Sequence, residues 1–352
     1  MKRTAWLAAL FGLALLVGLI LYQGVNEVTA TLSRASWVLL WLAPLHLVPL
    51  ALDAQAWTVL LAPRFPDKRG IFPFLLWIAT IREAVNRLIP TVSIGGELVG
   101  IRLSRLRFED SVSVTATIVI EVMLTTAAQY VFAAAGVVLI LANDPDLDQT
   151  WSIVTALVLS LPIPIAFAWV LKYGRVFERL HQFAIRLVGE ASRFVVRMEG
   201  ARLDHEIALL LAQHRRLFVA FLWQLAGFVA GSLETWFALR VLGHPVSPAA
   251  AIAVESLSQA IRNVVFFVPG GLGVQEVAVV LFARLVGVGS DVGLALALVK
   301  RMREVLVGVP ALLSWQWAEA GPMRLLRNAA QKLPLRAHTA VGSLGGDSEG
   351  GL

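Results

Sequence analysis

The chain has no cysteine, which removes disulfide frameworks, iron–sulfur clusters and thiolate-held zinc and says nothing about compartment. Charge is scarce too: Asp, Glu, Lys and Arg make up 15% of the 352 residues, where a soluble domain carries about a quarter. The six histidines, His46, His181, His205, His214, His244 and His338, are scattered. None falls in a His-x-x-x-His or His-Glu-x-x-His spacing, so no metal site is expected. No Gly-Lys-Ser/Thr follows a glycine turn, and Asp144, Asp146 and Asp148 sit together on an acidic loop rather than in a nucleotide fold. No cofactor is expected, and ATP hydrolysis is not.

What fills the chain is apolar: 58% of residues are hydrophobic and the mean hydropathy is +0.74. Several windows exceed the length of a buried core helix, which predicts an all-α polytopic membrane protein. The net charge of +6 is then a matter of topology, since Lys and Arg collect on cytoplasmic loops, and nucleic acid is not an expected partner.

Lys2 and Arg3 precede Ala5 to Tyr22, an apolar run longer than a usual signal core, which reads as an uncleaved first span. Trp37 to Leu61 is the second, followed by Arg64, Lys68 and Arg69. Between these bases and Arg102, Arg105 and Arg107 lies an interrupted apolar stretch, Ile71 to Gly100, so both of its flanks read as cytoplasmic and a re-entrant hairpin explains it better than one crossing. Ser111 to Ala142 and Trp151 to Leu171 form the next pair, the second bent by Pro162 and Pro164. Residues 172–216 carry nine Lys/Arg against five Asp/Glu, with apolar residues at helical spacing, and read as a basic amphipathic cytoplasmic helix.

Leu217 to Leu242 crosses outward. Pro248 to Val268 and Val274 to Val288 flank a second glycine turn whose outer loops lack Lys and Arg. Val292 to Ala318 returns to a cytoplasmic tail. The expectation is a single membrane domain over residues 1–320, with about six spanning helices and two re-entrant broken-helix elements in inverted orientation, or eight threaded spans. Both termini are cytoplasmic, and 321–352 forms a tail with a disordered end.

The two broken elements look alike. Aligned at Gly95 and Gly271, Ala84 to Ile89 lies over Ala260 to Val265, so Asn86-Arg87 answers Arg262-Asn263, and Gly95-Gly96-Glu97 answers the turn Pro269-Gly270-Gly271-Leu272-Gly273-Val274-Gln275-Glu276. Glycines permit positive φ and close backbone approach, and the helix that follows opens with free amides and a positive dipole end, which suits an anionic headgroup. A structural tight turn, with the Glu offsetting the dipole, is the plain alternative. Lys300, Arg301, Arg303 and Glu304 interrupt the last span. Cations at that depth must face a cavity, an acid or a phosphate, and Glu121, Glu234 and Glu255 are the candidate intramembrane acids. These residues together make up the expected headgroup site, with a buried ion network as the structural alternative.

Arg82 to Leu103 and Pro269 to Glu276 resemble the two signatures of the flippase-like membrane proteins grouped with the transmembrane region of lysylphosphatidylglycerol synthase. Leu52-Asp53-Ala54-Gln55-Ala56-Trp57, Leu242-Gly243-His244-Pro245-Val246, Glu255-Ser256-Leu257 and Leu298 to Glu304 are similar to its hopanoid-biosynthesis-associated, HpnL-type branch. The resemblance covers roughly residues 5 to 319 and implies lipid handling in a bacterial inner membrane. The family's synthase activity belongs to a soluble C-terminal domain for which the tail here is too short, so aminoacyl transfer is not expected. Three readings follow: translocation of a polar lipid (hopanoid, phospholipid or glycolipid); an integral membrane transferase with Glu83, Glu97 or Glu276 as base; or a scaffold for hopanoid-pathway enzymes using Arg179, Arg186 and Arg193.

Overall fold

A computed structural model of the chain describes residues 36–63, 70–89, 95–143, 155, 158–159, 161–179, 182, 200–265, 268 and 273–332. The expected first span, the turn residues Pro269, Gly270, Gly271 and Leu272, and the end of the tail lie outside the described residues. The chain divides into two compact units, Met1–Ala311 and Leu312–Leu352; the site belongs to the first.

Among the described residues the structure is helical, without strands. A 3-10 turn, Ser36–Trp41, leads into α1 (Leu42–Leu61). There follow α2 (Ile71–Leu88), α3 (Gly95–Ser104), α4 (Ser111–Asn143), α5 (Pro162–Tyr173), α6 (Gly200–Leu211), α7 (His214–Val241), α8 (Pro248–Val264), α9 (Val274–Leu285) and α10 (Ser290–Lys332). Among the described residues three stretches are long and apolar enough to cross a membrane: Trp37–Leu61, Ser111–Ala142 and His214–Val241. Their composition and length make this an integral membrane protein.

The helix boundaries have local causes. Asp110 stands before α4 and accepts the backbone N–H of Val112 and of Ser113 (both 3.2 Å) and the Ser113 hydroxyl (2.7 Å), satisfying amides that a helix start leaves open. Burial alone would raise the Asp110 carboxyl; the Ser113 bonds and the nearby Arg202 outweigh it and hold the group below its ordinary value. Ser247 caps α8 through the Ala250 N–H (3.1 Å), with Pro248 in the first turn. Before α9 the backbone turns at Gly273 with φ +76°, a conformation that costs glycine little and other residues more.

Two apolar clusters sit at opposite ends of the long helices. One joins Leu39 and Leu42 at the entrance of α1, Val137 and Ile140 at the exit of α4, Leu239 and Leu242 at the exit of α7, and residues of α8, α9 and early α10 such as Leu257, Phe282 and Leu296. The other joins Ala56 and Leu60 late in α1, Ala116 and Ile120 early in α4, Ile207 and Leu210 of α6, and Ala220 early in α7. Thus α1 runs antiparallel to α4 and α7. Between the clusters the three helices carry buried ionisable residues, His46 of α1, Glu121 of α4 and Glu234 of α7.

The remaining elements form two hairpins. The outer ends of α2 and α3 meet, because Arg107 donates to the Gly70 carbonyl (2.8 Å) and stacks over Phe74. This hairpin opens toward the Ile207 end. In the other hairpin the base of α8 follows the exit of α7, and Phe282 and Ala283 at the end of α9 belong to the Leu239 cluster, so it opens toward the opposite end. With 10 residues in α3 and 12 in α9, these helices are about 15 and 18 Å long, roughly half the hydrocarbon thickness.

Several boundaries differ from expectation. Val158 and Leu159 are helical and Pro162 then opens α5 at its first position, where a proline without an N–H is cost-free; the other residues of the expected span before it lie mostly outside the described residues. The expected 172–216 helix is interrupted in the described part: Gly174 and Arg175, the latter at φ +45°, end α5, and α6 is a separate helix packed on α4. The expected span from Leu217 begins at His214, and the last one runs from Ser290 to Lys332.

Candidate functional site

Between the apolar clusters, α1, α2, α7 and α10 bring a closed ring of ionisable side chains together. His46 Nε2 lies 2.7 Å from Glu83 and its Nδ1 2.9 Å from Glu234. Glu234 pairs with Arg303, Arg303 lies 3.9 Å from Glu304, Glu304 is 3.3 Å from Arg87, and Arg87 returns to Glu83 at 3.5 Å. Glu83 and Arg87 are one turn apart on α2, and Lys300 to Glu304 present four charges along one stretch of α10. The rest of the ring depends on tertiary packing. A buried charge is stable only when paired and hydrogen-bonded, and here each charge is held by at least one opposite partner.

Two branches extend from the ring. Arg301 donates to Glu276 (2.6 Å) and to Glu304 (2.7 Å), so the first-turn acid of α9, itself 0% exposed, is tied to α10. Lys300 pairs with Glu255 of α8, which also accepts from Thr235 of α7 and from Gln259 (2.8 Å). The tips of the two hairpins touch through Arg87, whose guanidinium reaches Gln275 Oε1 (3.4 Å). Leu88 at the end of α2 rests on α10, where a Cβ on Gly308 would lie 2.5 Å from its Cδ1.

The first hairpin has its own bracing. Asn86 Oδ1 accepts the Gly96 N–H (2.8 Å) and its Nδ2 faces both Glu97 oxygens (3.3 and 3.4 Å), so one side chain holds the start of α3. Gly96 is required by close approach: a Cβ there would collide with the Arg82 carbonyl. Arg82 makes two bonds to Glu121 of α4 (2.9 and 3.0 Å), comes within 3.5 Å of Glu97 and lies over the Trp57 ring at 5.3 Å. Nearby, Gln224 donates to Asp53 (2.7 Å).

Where the hairpin tips meet lies a cleft lined by Arg87, Glu255, Ser258, Gln259, Arg262, Gln275, Val279, Lys300 and Arg303. Its volume of about 20 Å³ is room for about one water. Around it, Ser258 Oγ, Glu276 Oε2, Arg301 Nη2, Arg303 Nε and Glu304 Oε1 are buried without a hydrogen-bond partner among the described residues. Such atoms are rare in a settled interior. Of these, Ser258 Oγ and Arg303 Nε belong to residues that line the cleft, while Glu276, Arg301 and Glu304 lie in the network behind it.

Of the residues singled out from sequence, Arg87, Arg262, Lys300, Arg303 and Glu255 line this cleft, and Glu234, Glu276, Arg301 and Glu304 lie in the network behind it. Asn86, Gly95, Gly96 and Glu97 brace the first tip instead. Glu121 serves Arg82, and Asn263 turns away to Gln129 of α4. Gly273 makes the turn into α9, while Pro269, Gly270 and Gly271 lie outside the described residues. Sequence reasoning gave His46 no role, and named Arg82 and Gln275 only within the two motifs, without the partners the structure gives them. A signal for His46 did exist, since an ionisable residue in the middle of an apolar span is a functional pointer by default.

The family described as lysylphosphatidylglycerol synthase TM region matches residues 6–311, ending where the first compact unit ends. No curated protein and no solved structure matches the chain.

Proposed function

Because the chain belongs to the lysylphosphatidylglycerol synthase transmembrane-region family, we propose that it is a bacterial inner-membrane translocase that moves a polar lipid between leaflets without hydrolysing ATP. The substrate class is a lipid with an anionic headgroup, a phospholipid or a hopanoid or glycolipid carrying one. The observation that carries this reading is the meeting of two oppositely opening hairpins at a cleft bearing Arg87, Arg262, Lys300 and Arg303.

In this reading both hairpins are re-entrant and the half-length α3 and α9 reach only to mid-depth, the pattern of inverted-repeat transporters. The end carrying Arg102, Arg105, Arg107, Arg215 and Arg216 faces the cytoplasm. Arg guanidinium groups match phosphate oxygens in pairs, while the acyl chains stay in the bilayer beside the exposed apolar faces of the spans. A cleft that holds one water holds no headgroup, so transport requires the tips to part.

The transferase reading has less support. Glu83, Glu97 and Glu276 each lie against a guanidinium, of Arg87, Arg82 and Arg301 respectively, and a carboxylate tied to a guanidinium is a poor base.

The test uses proteoliposomes with headgroup-labelled phosphatidylglycerol in the inner leaflet and a membrane-impermeant quencher outside. The label is expected to become accessible several-fold faster with protein than in empty vesicles, and Arg262→Ala together with Lys300→Ala should remove the gain. Equal rates with and without protein, across phospholipids and headgroup-bearing hopanoids, would overturn the proposal.

A further inference from the structure

Like Arg87 and Arg303, His46 faces an acid on each side of the ring, but unlike a guanidinium its imidazole can lose its charge. Its two ring nitrogens are 2.9 Å from a Glu234 oxygen and 2.7 Å from a Glu83 oxygen. An ionised carboxylate only accepts hydrogen bonds, and a neutral imidazole has only one N–H to give. Both contacts can be hydrogen bonds at once only if the triad holds one proton beyond a neutral imidazole and two carboxylates. That proton makes an imidazolium between two carboxylates, or a neutral imidazole with one carboxylic acid.

Buried charge bears on the same proton. The ring and its branches contain five carboxylates, Glu83, Glu234, Glu255, Glu276 and Glu304, against the cations Arg87, Arg301, Arg303 and Lys300, with Arg262 lining the cleft beside them. The geometry of the two His46 contacts carries the assignment; the surplus of paired acids around them is compatible with a held proton at this depth. The other ionisable groups close by are already committed: Glu121 of α4 to Arg82, and Asp53 of α1 to Gln224.

We propose that His46, Glu83 and Glu234 form a proton-binding site whose loading and release couples proton movement to the opening of the first hairpin. The triad joins α1, α2 and α7, and Glu83 is linked through Arg87 to the meeting point of the tips. When the proton passes to water, two carboxylates are left facing one N–H. The acceptor without a hydrogen is repelled, and the Glu83–Arg87 end of α2 is freed from α1. Reloading from water draws it back. Coupling rests on the translocase reading; proton binding by the triad does not.

Two measurements test it. In the full-length protein in lipid bilayers, with His181, His205, His214, His244 and His338 replaced so that His46 is the sole histidine, nitrogen-15 NMR at neutral pH reads its ring nitrogens, and infrared difference spectra read protonated carboxyls. The expected result is hydrogen on both ring nitrogens, or hydrogen on one together with a carboxylic-acid band that disappears in Glu83→Gln or Glu234→Gln. One bare nitrogen with no such band overturns the site.

In proteoliposomes carrying headgroup-labelled phosphatidylglycerol, an imposed gradient of about one pH unit should shift the steady-state leaflet ratio by up to about tenfold for one proton per lipid. His46→Gln should remove that shift. Lipid movement in wild type with a ratio indifferent to the gradient overturns the coupling. No lipid movement at all, with the extra proton present by NMR, overturns the translocase reading and with it the coupling, and leaves the proton site standing.

Discussion

The two hairpins solve the same problem in different ways. In α2–α3 the tip is fastened to itself: Asn86 spans to Gly96 and Glu97, and Arg82 of the same hairpin reaches Glu97. In α8–α9 the fastening is to neighbours, since Glu276 is held by Arg301 of α10, Glu255 by Lys300 and Thr235, and Asn263 by Gln129 of α4. A unit braced internally moves as one piece, whereas a unit braced to the bundle stays with it. The α2–α3 hairpin is also tied to the bundle, through Arg82 to Glu121, Glu83 to His46 and Arg87 to Glu304, so in the proposed transport cycle it moves as one piece once those ties part, with α8–α9 and α10 as the wall of the cleft.

The largest expected effect comes from breaking the wall. Arg303→Leu leaves Glu234 and Glu304 buried without their shared cation, and loss of one partner from a buried pair costs about 3–5 kcal/mol; thermal unfolding in detergent micelles should show it. Next is Gly96→Leu, which drives a side chain into the Arg82 carbonyl. An overpacked contact costs about 1–3 kcal/mol, and chemical crosslinking of the α2 and α3 ends should report a disturbed first hairpin with α8–α9 unchanged.

A paired comparison sharpens the contrast further. Asn86→Ala should destabilise by about 1–2 kcal/mol, because it removes a helix-start acceptor and frees Glu97, while Asn263→Ala, at an exposed position, should cost less. Amide hydrogen exchange should rise along α3 in the first variant and leave α9 unchanged in the second. Equal protection loss in both hairpins would contradict the division into moving and fixed parts.

The smallest effect belongs to a control outside both. Asp110→Ala removes the α4 cap at about 0.5–2 kcal/mol. The Asp110 carboxyl is held below its ordinary value, so its contribution is complete above the unfolded-state value of about 3.9 and is lost as pH falls through the lower folded-state value. The melting-point difference between wild type and Asp110→Ala should therefore narrow in strong acid and be constant above about pH 5.

Much of the fold could be read from the chain because it is local. Apolar window length gives α1, α4 and α7, and proline with glycine marks both hairpin turns. The residues Lys300 to Glu304 stood out because charge in an apolar run is conspicuous. What escaped was pairing: His46 meets Glu234 across 188 positions and Glu83 across 37, and Arg87 meets Gln275 across 188. Periodicity carries no information at such separations. The likeness of Asn86-Arg87 to Arg262-Asn263 was informative for the arginines, both of which line the cleft, and misleading for the asparagines, because one faces its own hairpin and the other a neighbouring helix.

The clasp between Arg107 and the Gly70 carbonyl gives the first hairpin a pivot. With 18 residues in α2, its far end is roughly 27 Å from that pivot. A tilt of about 10° swings it by about 5 Å, wide enough to part hydrogen bonds of about 3 Å. In the proposed translocase a small rotation at that pivot is thus geared up into a gate at the hairpin tips, and no helix need unfold for the passage to clear.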